Sequence, residues 1–286
     1  DVDPGGHPGG HPGRGARSAA RARSAARARS AARARPVPRD RPVQHGARQF
    51  TEPQPERFLA AALHFKPAVD VFSRHHDLDR WAYAQIGLAQ ALKRTGEFQG
   101  DVVTLGDAAF AFRAALGQLT KDRAPQDWAD AQLGLGQTLV RIAEETGEAA
   151  ALEKAVPALK AALAQPRDRA PLFDVTAAEA ALGRAYAGLD AHQQDDVMLQ
   201  DAISLLESAL ASGSRTLAPS EHAVIEQVRG TALWSLGERR TSLRLLEDAM
   251  RAKLNAVELL EQLGEVSAAG RLREDLDDLA LAIERM

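Results

Sequence analysis

A period of 47 residues constrains this chain more than any other feature of its sequence. Leu105, Leu152, Leu199 and Leu246 stand one period apart, as do Ala108, Ala155, Ala202 and Ala249, and again Ala115, Ala162, Ala209 and Ala256. Upstream of these, Trp81 and Trp128, Gln85 and Gln132, and Gly87 and Gly134 keep the same spacing. Gly183 follows Gly134 at 49 residues, and Gly230 follows Gly183 at 47. Pro125, Pro171 and Pro219 mark the seams. Self-similarity at such a period belongs to arrays of one supersecondary unit, in which each unit buries its apolar face only against its neighbours.

Each unit reads as two helices. The second helices carry apolar residues at i, i+4, i+7 and i+11: Leu105, Ala109, Phe112, Leu116, then Leu152, Val156, Leu159, Leu163, then Leu199, Ile203, Leu206, Leu210. That spacing lays one apolar stripe along a helix of 3.6 residues per turn. The first helices are expected near residues 80–95, 127–145, 174–188 and 221–237, each with a glycine in its interior. Glycine there costs about 1 kcal/mol relative to alanine, so a close helix–helix approach is the expected reason for it. Pro157 falls inside a second helix and predicts a local irregularity. Phe58, Leu59, Leu63, Phe65, Val69 and Phe72 suggest a helix before the first unit. Val266, Leu272, Leu276, Leu279 and Ile283 suggest a last helix whose other face, with Glu274, Asp275, Asp277 and Asp278, suits a solvated end.

The ends of the chain differ in character. Residues 1–50 hold eleven Arg against three acidic residues, a balance of +8, within a net charge of −3. The unit Arg-Ser-Ala-Ala-Arg-Ala occurs at residues 17–22, 23–28 and 29–34, and Pro36, Pro38, Pro42, Pro53 and Pro55 follow. Residues 1–54 therefore read as a disordered Arg/Ala/Pro/Gly-rich tail, short of the apolar surface that would offset its ordering entropy. Residues 55–286 read as the repeat domain, with units near 79–125, 126–171, 172–219 and 220–262 and a capping helix near 265–285. Polyanion or nucleic-acid binding enters only through the Arg-rich tail. With no cysteine, disulfides and thiolate metal sites are excluded. No stretch approaches the roughly 20 apolar residues of a membrane span, and a cytoplasmic location is the expectation.

Leu182-Gly183, Tyr186, Ala202, Leu206 and Ala209 resemble the tetratricopeptide repeat, as do Ile86-Gly87, Ala108, Phe112 and Ala115. Gln90 and Gln137 depart from its aromatic position, Arg229 and Lys253 from apolar ones, and the unit is longer, similar to an extended bacterial subtype. The resemblance implies an all-α, right-handed α-solenoid of stacked antiparallel helix pairs, with a concave groove lined by the first helices. Carried over, the groove positions are Trp81, Gln85, Leu88 and Leu92; Trp128, Gln132, Leu135 and Leu139; Arg184; and Gln227 and Thr231. The two tryptophans also read as packing between units. The resemblance implies a scaffold that binds another protein or peptide and catalyses nothing, with no cofactor and an oligomeric state left open. His75-His76-Asp77-Leu78-Asp79 makes a poor metal cluster, because adjacent histidines diverge on a helix.

Overall fold

The computed structural model describes residues 55–74, 77–213 and 217–285. The Arg-rich tail, with the disorder and polyanion binding expected of it, lies outside the described residues, as do His75 and His76. Residues 53–286 form one compact unit. The described residues are helical throughout their regular structure: α1 (Pro55–Arg74), α2 (Leu78–Gln99), α3 (Val102–Leu116), α4 (Pro125–Thr146), α5 (Ala149–Leu163), α6 (Val175–Gln193), α7 (Asp196–Gly213), α8 (Pro219–Arg239), α9 (Leu243–Gln262) and α10 (Val266–Glu284). The second helices α3, α5, α7 and α9 begin 47 residues apart. The end helices keep the same register. α1 begins 47 residues before α3 and α10 begins 47 after α8, so α1 is a second helix and α10 a first helix, each without its mate among the described residues.

The turns within units are set by local chemistry. Gly100 (φ 64°) and Gly147 (φ 73°) end α2 and α4 in the left-handed conformation, which glycine adopts without steric cost. Asp101 then caps α3, its carboxylate accepting from the Val103 amide at 3.0 Å. Asp195 does the same for α7, accepting from the Val197 amide at 2.8 Å. Two-residue connections of this kind force the helices of a unit antiparallel.

From α3 to α9, every second helix packs on the first helix of its own unit and on that of the next, and successive first helices from α2 to α8 also touch one another. The stack is therefore tighter on the side of α2, α4, α6 and α8, which makes that its inner side. The core is mostly alanine and leucine, with its largest cluster running from Ala89 to Ala202.

The interior glycines have a common cause. One large side chain per second helix, at Phe112, Leu159, Leu206 and Lys253, is clamped between two first helices, and Phe65 of α1 meets one, α2. Toward its own first helix it meets a small residue: a Cβ built on Gly136 would come 2.4 Å from Leu159, and on Gly183 2.8 Å from Leu206. Toward the next first helix, the two phenylalanines also meet glycine: a Cβ on Gly87 would come 2.4 Å from Phe65, and on Gly134 2.4 Å from Phe112. This corrects the glycine alignment. Gly87 and Gly134 face the preceding second helix, whereas Gly136, Gly183 and Gly230 face their own. The 49-residue step from Gly134 to Gly183 is thus a jump between two registers, and each register by itself keeps 47. In the last layer an ion pair replaces the apolar contact: the Lys253 ammonium donates to Asp275 at 2.6 Å, in the register of Phe112 and Gly134.

The irregularity expected at Pro157 is absent, and α5 runs unbroken from Ala149 to Leu163. Pro157 and Glu153 are both exposed, so the carbonyl that loses its amide partner lies where water can take it up. On α10, Glu274, Asp277 and Asp278 are exposed, as expected of a solvated end. Among the described residues, no helix is long and apolar enough to cross a membrane.

Candidate protein-binding face

The first helices present their inner side through the registers of Tyr83, Gln90, Arg94 and Glu97 and their equivalents one period on. Polar bridges link successive first helices along this face. Tyr83 on α2 donates to Asp127 on α4 at 3.2 Å, and Lys93 donates to Gln137. Arg184 on α6 reaches back to Glu144 on α4, Nε to Oε1 3.0 Å. Arg239 at the end of α8 donates to the buried Asp190 of α6 at 2.8 Å and also pairs with Asp196 at 3.4 Å. These bridges tie α2 to α4, α4 to α6 and α6 to α8 while leaving Tyr83, Gln90, Gln227 and Thr231 exposed.

Electrostatically the face is mixed. Burial, partly offset by Glu97 and reinforced by Arg94 and Arg184, pushes the Lys93 ammonium down to about 8. Burial also raises the carboxyls of Asp127 and Asp130 at the start of α4, with the neighbouring Asp127 and Asp174 charges adding to the effect on Asp130. Arg141 is shared between Glu144, at 3.6 Å, and Glu145. Among the described residues, no cluster of His, Asp and Glu could hold a metal ion.

The groove positions taken from the sequence fall into two groups. Arg184, Gln227 and Thr231 lie on the inner side. Thr231 returns its hydroxyl to the Gln227 carbonyl at 3.1 Å. The positions on α2 and α4 do not line an open surface. Gln85, Leu88, Leu135 and Leu139 are buried, Leu88 and Leu92 in the cluster with Ala62 under α1, and Leu135 and Leu139 in the main core. Trp81 and Trp128 pack with Ala115 and Leu119 between units, and Gln132 is half-buried. The physical reason is the glycine register. Aligning on Gly87 and Gly134 shifts α2 and α4 by two residues, which rotates the chosen side chains from the inner side into the core. With Ala89 and Gly136 as the equivalents of Gly183 and Gly230, the inner positions become Tyr83 and Gln90 on α2, and Asp130 and Gln137 on α4. Gln90 and Gln137 then match Arg184 and Thr231, and the aromatic position is filled by Leu92, Leu139, Tyr186 and Leu233. The signal was present in the sequence as the 49-residue step.

A shallow depression of about 510 Å³ lies elsewhere, between the α3–α4 connection, Trp128 and the end of α5.

No protein-family model and no curated protein matches the chain. Among solved structures it is similar to a protein titled DHF58 filament, at 16% identity over 81% of this chain and 96% of that one, with a TM-score of 0.21. It is also similar to the de novo designed helical repeat protein DHR64, at 18% identity over 81% and 98%, with a TM-score of 0.20. At such TM-scores the shapes do not superpose as wholes, and the fold rests on this chain's own packing. The class so defined is an all-helical repeat protein built of consecutively stacked helix pairs.

Proposed function

We propose that the chain is a non-catalytic scaffold of tetratricopeptide type that holds a peptide or helix of another protein along the inner side of its first helices. The observation that supports this reading is the continuous polar face from Tyr83 and Gln90 through Gln137 and Arg184 to Gln227 and Thr231, set on rigid helices. Such a face offers amide, hydroxyl and guanidinium groups to an extended peptide or to one side of a helix. Lys and Asn are absent from the positions that would capture a free C-terminal carboxylate in this repeat family, so an internal segment is the favoured ligand.

Selection of a random peptide library on the full chain tests the proposal. Selected peptides should lose at least tenfold in affinity for the variant Gln90→Ala/Arg184→Ala/Gln227→Ala, and keep it for Phe110→Ala on the outer side of α3. Peptides that bind both variants equally well would refute the inner face as the site.

A further inference from the structure

The described fold opens on a second helix that lacks its mate, and the consequence is visible in its burial. The four core registers of the second helices are 0–5% exposed at Leu105, Leu152, Leu199 and Leu246, and 0% at all four alanines from Ala108 to Ala249 and from Ala115 to Ala256. They are 0–1% exposed at Phe112, Leu159, Leu206 and Lys253. On α1 the same registers are Phe58, Ala61, Ala68 and Phe65. Phe58, Ala61 and Ala68 are only half-buried, and Phe65 is 36% exposed although its ring touches Gly87. α1 thus carries a complete seat for a first helix, and nothing in the described residues fills it.

Two occupants fit this register poorly. One period upstream of α2, where the missing first helix would fall, the chain carries Pro36, Pro38 and Pro42, which a helix interior does not tolerate. The unmated first helix of a second copy, α10, would place Asp277 where Ala89, Gly136, Gly183 and Gly230 stand, and so set a carboxylate against Phe65. Head-to-tail stacking is therefore disfavoured by an unpaired buried charge.

The seat is instead complementary to itself. Phe58, Phe65 and Phe72 recur at seven residues, with Ala61 and Ala68 between them, a heptad of alternating large and small side chains. When two such helices run antiparallel, the large register of one meets the small register of the other. Phe58 then faces Ala68 of the second copy and Ala61 faces its Phe65, with the same pairs repeated beyond a twofold axis near Leu63. The self-complementary patch of a twofold dimer has this form. We infer that the chain forms a homodimer through antiparallel α1 helices, each filling the place of the other's missing first helix.

Light scattering during gel filtration of the full chain at tens of micromolar tests this. The expected mass is twice the 30.7 kDa of one chain. Ala68→Glu should halve it with the helical circular dichroism unchanged, whereas Phe110→Glu, at a residue 70% exposed on the outer side, should leave the dimer intact. Because the chain has no cysteine, His64→Cys and Val71→Cys, exposed and seven residues apart on one flank of α1, each take a single spin label. His64 lies beside the axis, and the Val71 labels should stand farther apart by roughly 21 Å along the helix axis, from a rise of about 1.5 Å per residue. A monomeric wild type, a dimer that survives Ala68→Glu, or Val71 labels no farther apart than His64 labels would each overturn the inference.

Discussion

Gly134→Ala is the substitution that most directly probes the clamp. In an ordinary exposed helix position the change stabilises by up to about 1 kcal/mol, because alanine loses less backbone freedom on folding. At Gly134 the new Cβ would sit 2.4 Å from the Phe112 ring, which is itself fully buried between α2, α3 and α4. The ring cannot swing outward, so the added methyl acts as overpacking, which costs about 1–3 kcal/mol. Set against the propensity gain, the net change is a loss of up to about 2 kcal/mol. Gly106→Ala supplies the control, since Gly106 lies exposed in α3 with nothing within 4 Å of its Cβ position, and should stabilise by up to about 1 kcal/mol. Urea unfolding followed by circular dichroism separates the two by the overpacking cost, about 1–3 kcal/mol. Pairing Gly134→Ala with Phe112→Leu should recover part of the loss, because one period on the same two registers are held by Ala181 and Leu159, both buried in the main core. If Gly134→Ala proves as stable as Gly106→Ala, close approach is not why these helices keep glycine.

Two further outcomes follow from the inner face. The Lys93 ammonium should titrate near 8 by NMR, against 10.5 for an ordinary lysine. Because the folded state binds this proton more weakly than the unfolded chain, its charge costs stability below about 8, and that cost is relieved as pH rises from 8 toward 10.5. Wild type should therefore gain stability over that window relative to Lys93→Met; a flat difference would count against a buried ammonium. Arg239→Met should cost about 2 kcal/mol in urea unfolding, because it strips the partner from buried Asp190, with the partial exposure of Arg239 lowering the figure from that of a fully buried pair. Adding Asp190→Asn should return part of it, and no recovery would show that the arginine acts through packing alone.

The period of the second helices was fully legible because it is carried by residues that nothing else could use. An alanine at Ala108, Ala155, Ala202 and Ala249 is demanded by helix contact, and it recurs wherever that contact recurs. The same registers reach Ala61 and Phe65, so the identity of α1 as a second helix was also open to reading, but the divergence of its flanking residues hid it. The inner face was harder. Its position depends on rotation about the first helices, and a two-residue shift turns a side chain by about 200°. Gly134 and Gly136 stand side by side in α4 and serve opposite contacts, so identity at a 47-residue spacing could not tell them apart. Only the packing of Phe112 on one and Leu159 on the other does so. The bridges from Lys93 to Gln137 and from Arg184 to Glu144 join residues that do not share a register, and periodicity carries no signal for them.

The last layer tests whether the clamp tolerates charge by design of its surroundings. Lys253 is 1% exposed, whereas the side chain of its partner Asp275 is 48% exposed, and the ammonium also lies 5.1 Å from the centre of the Trp234 ring. The two halves of the pair are therefore unequal. Removing the carboxylate by Asp275→Asn leaves an ammonium buried with only an amide and a ring face to meet it, and with Asp275 half in water the cost falls below that of a fully buried pair, to about 2 kcal/mol. Removing the ammonium by Lys253→Met places an apolar chain where every other layer has one and leaves Asp275 half in water, so its cost should stay below about 1 kcal/mol. The double variant should resemble Lys253→Met. Unfolding measured by hydrogen exchange in α9 and α10 reads this layer without averaging over the stack, since each layer of a solenoid reports mainly on its neighbours. Equal losses for the two single variants would mean that the pair acts as a surface ion pair, and that Lys253 is not serving as the core residue of its layer.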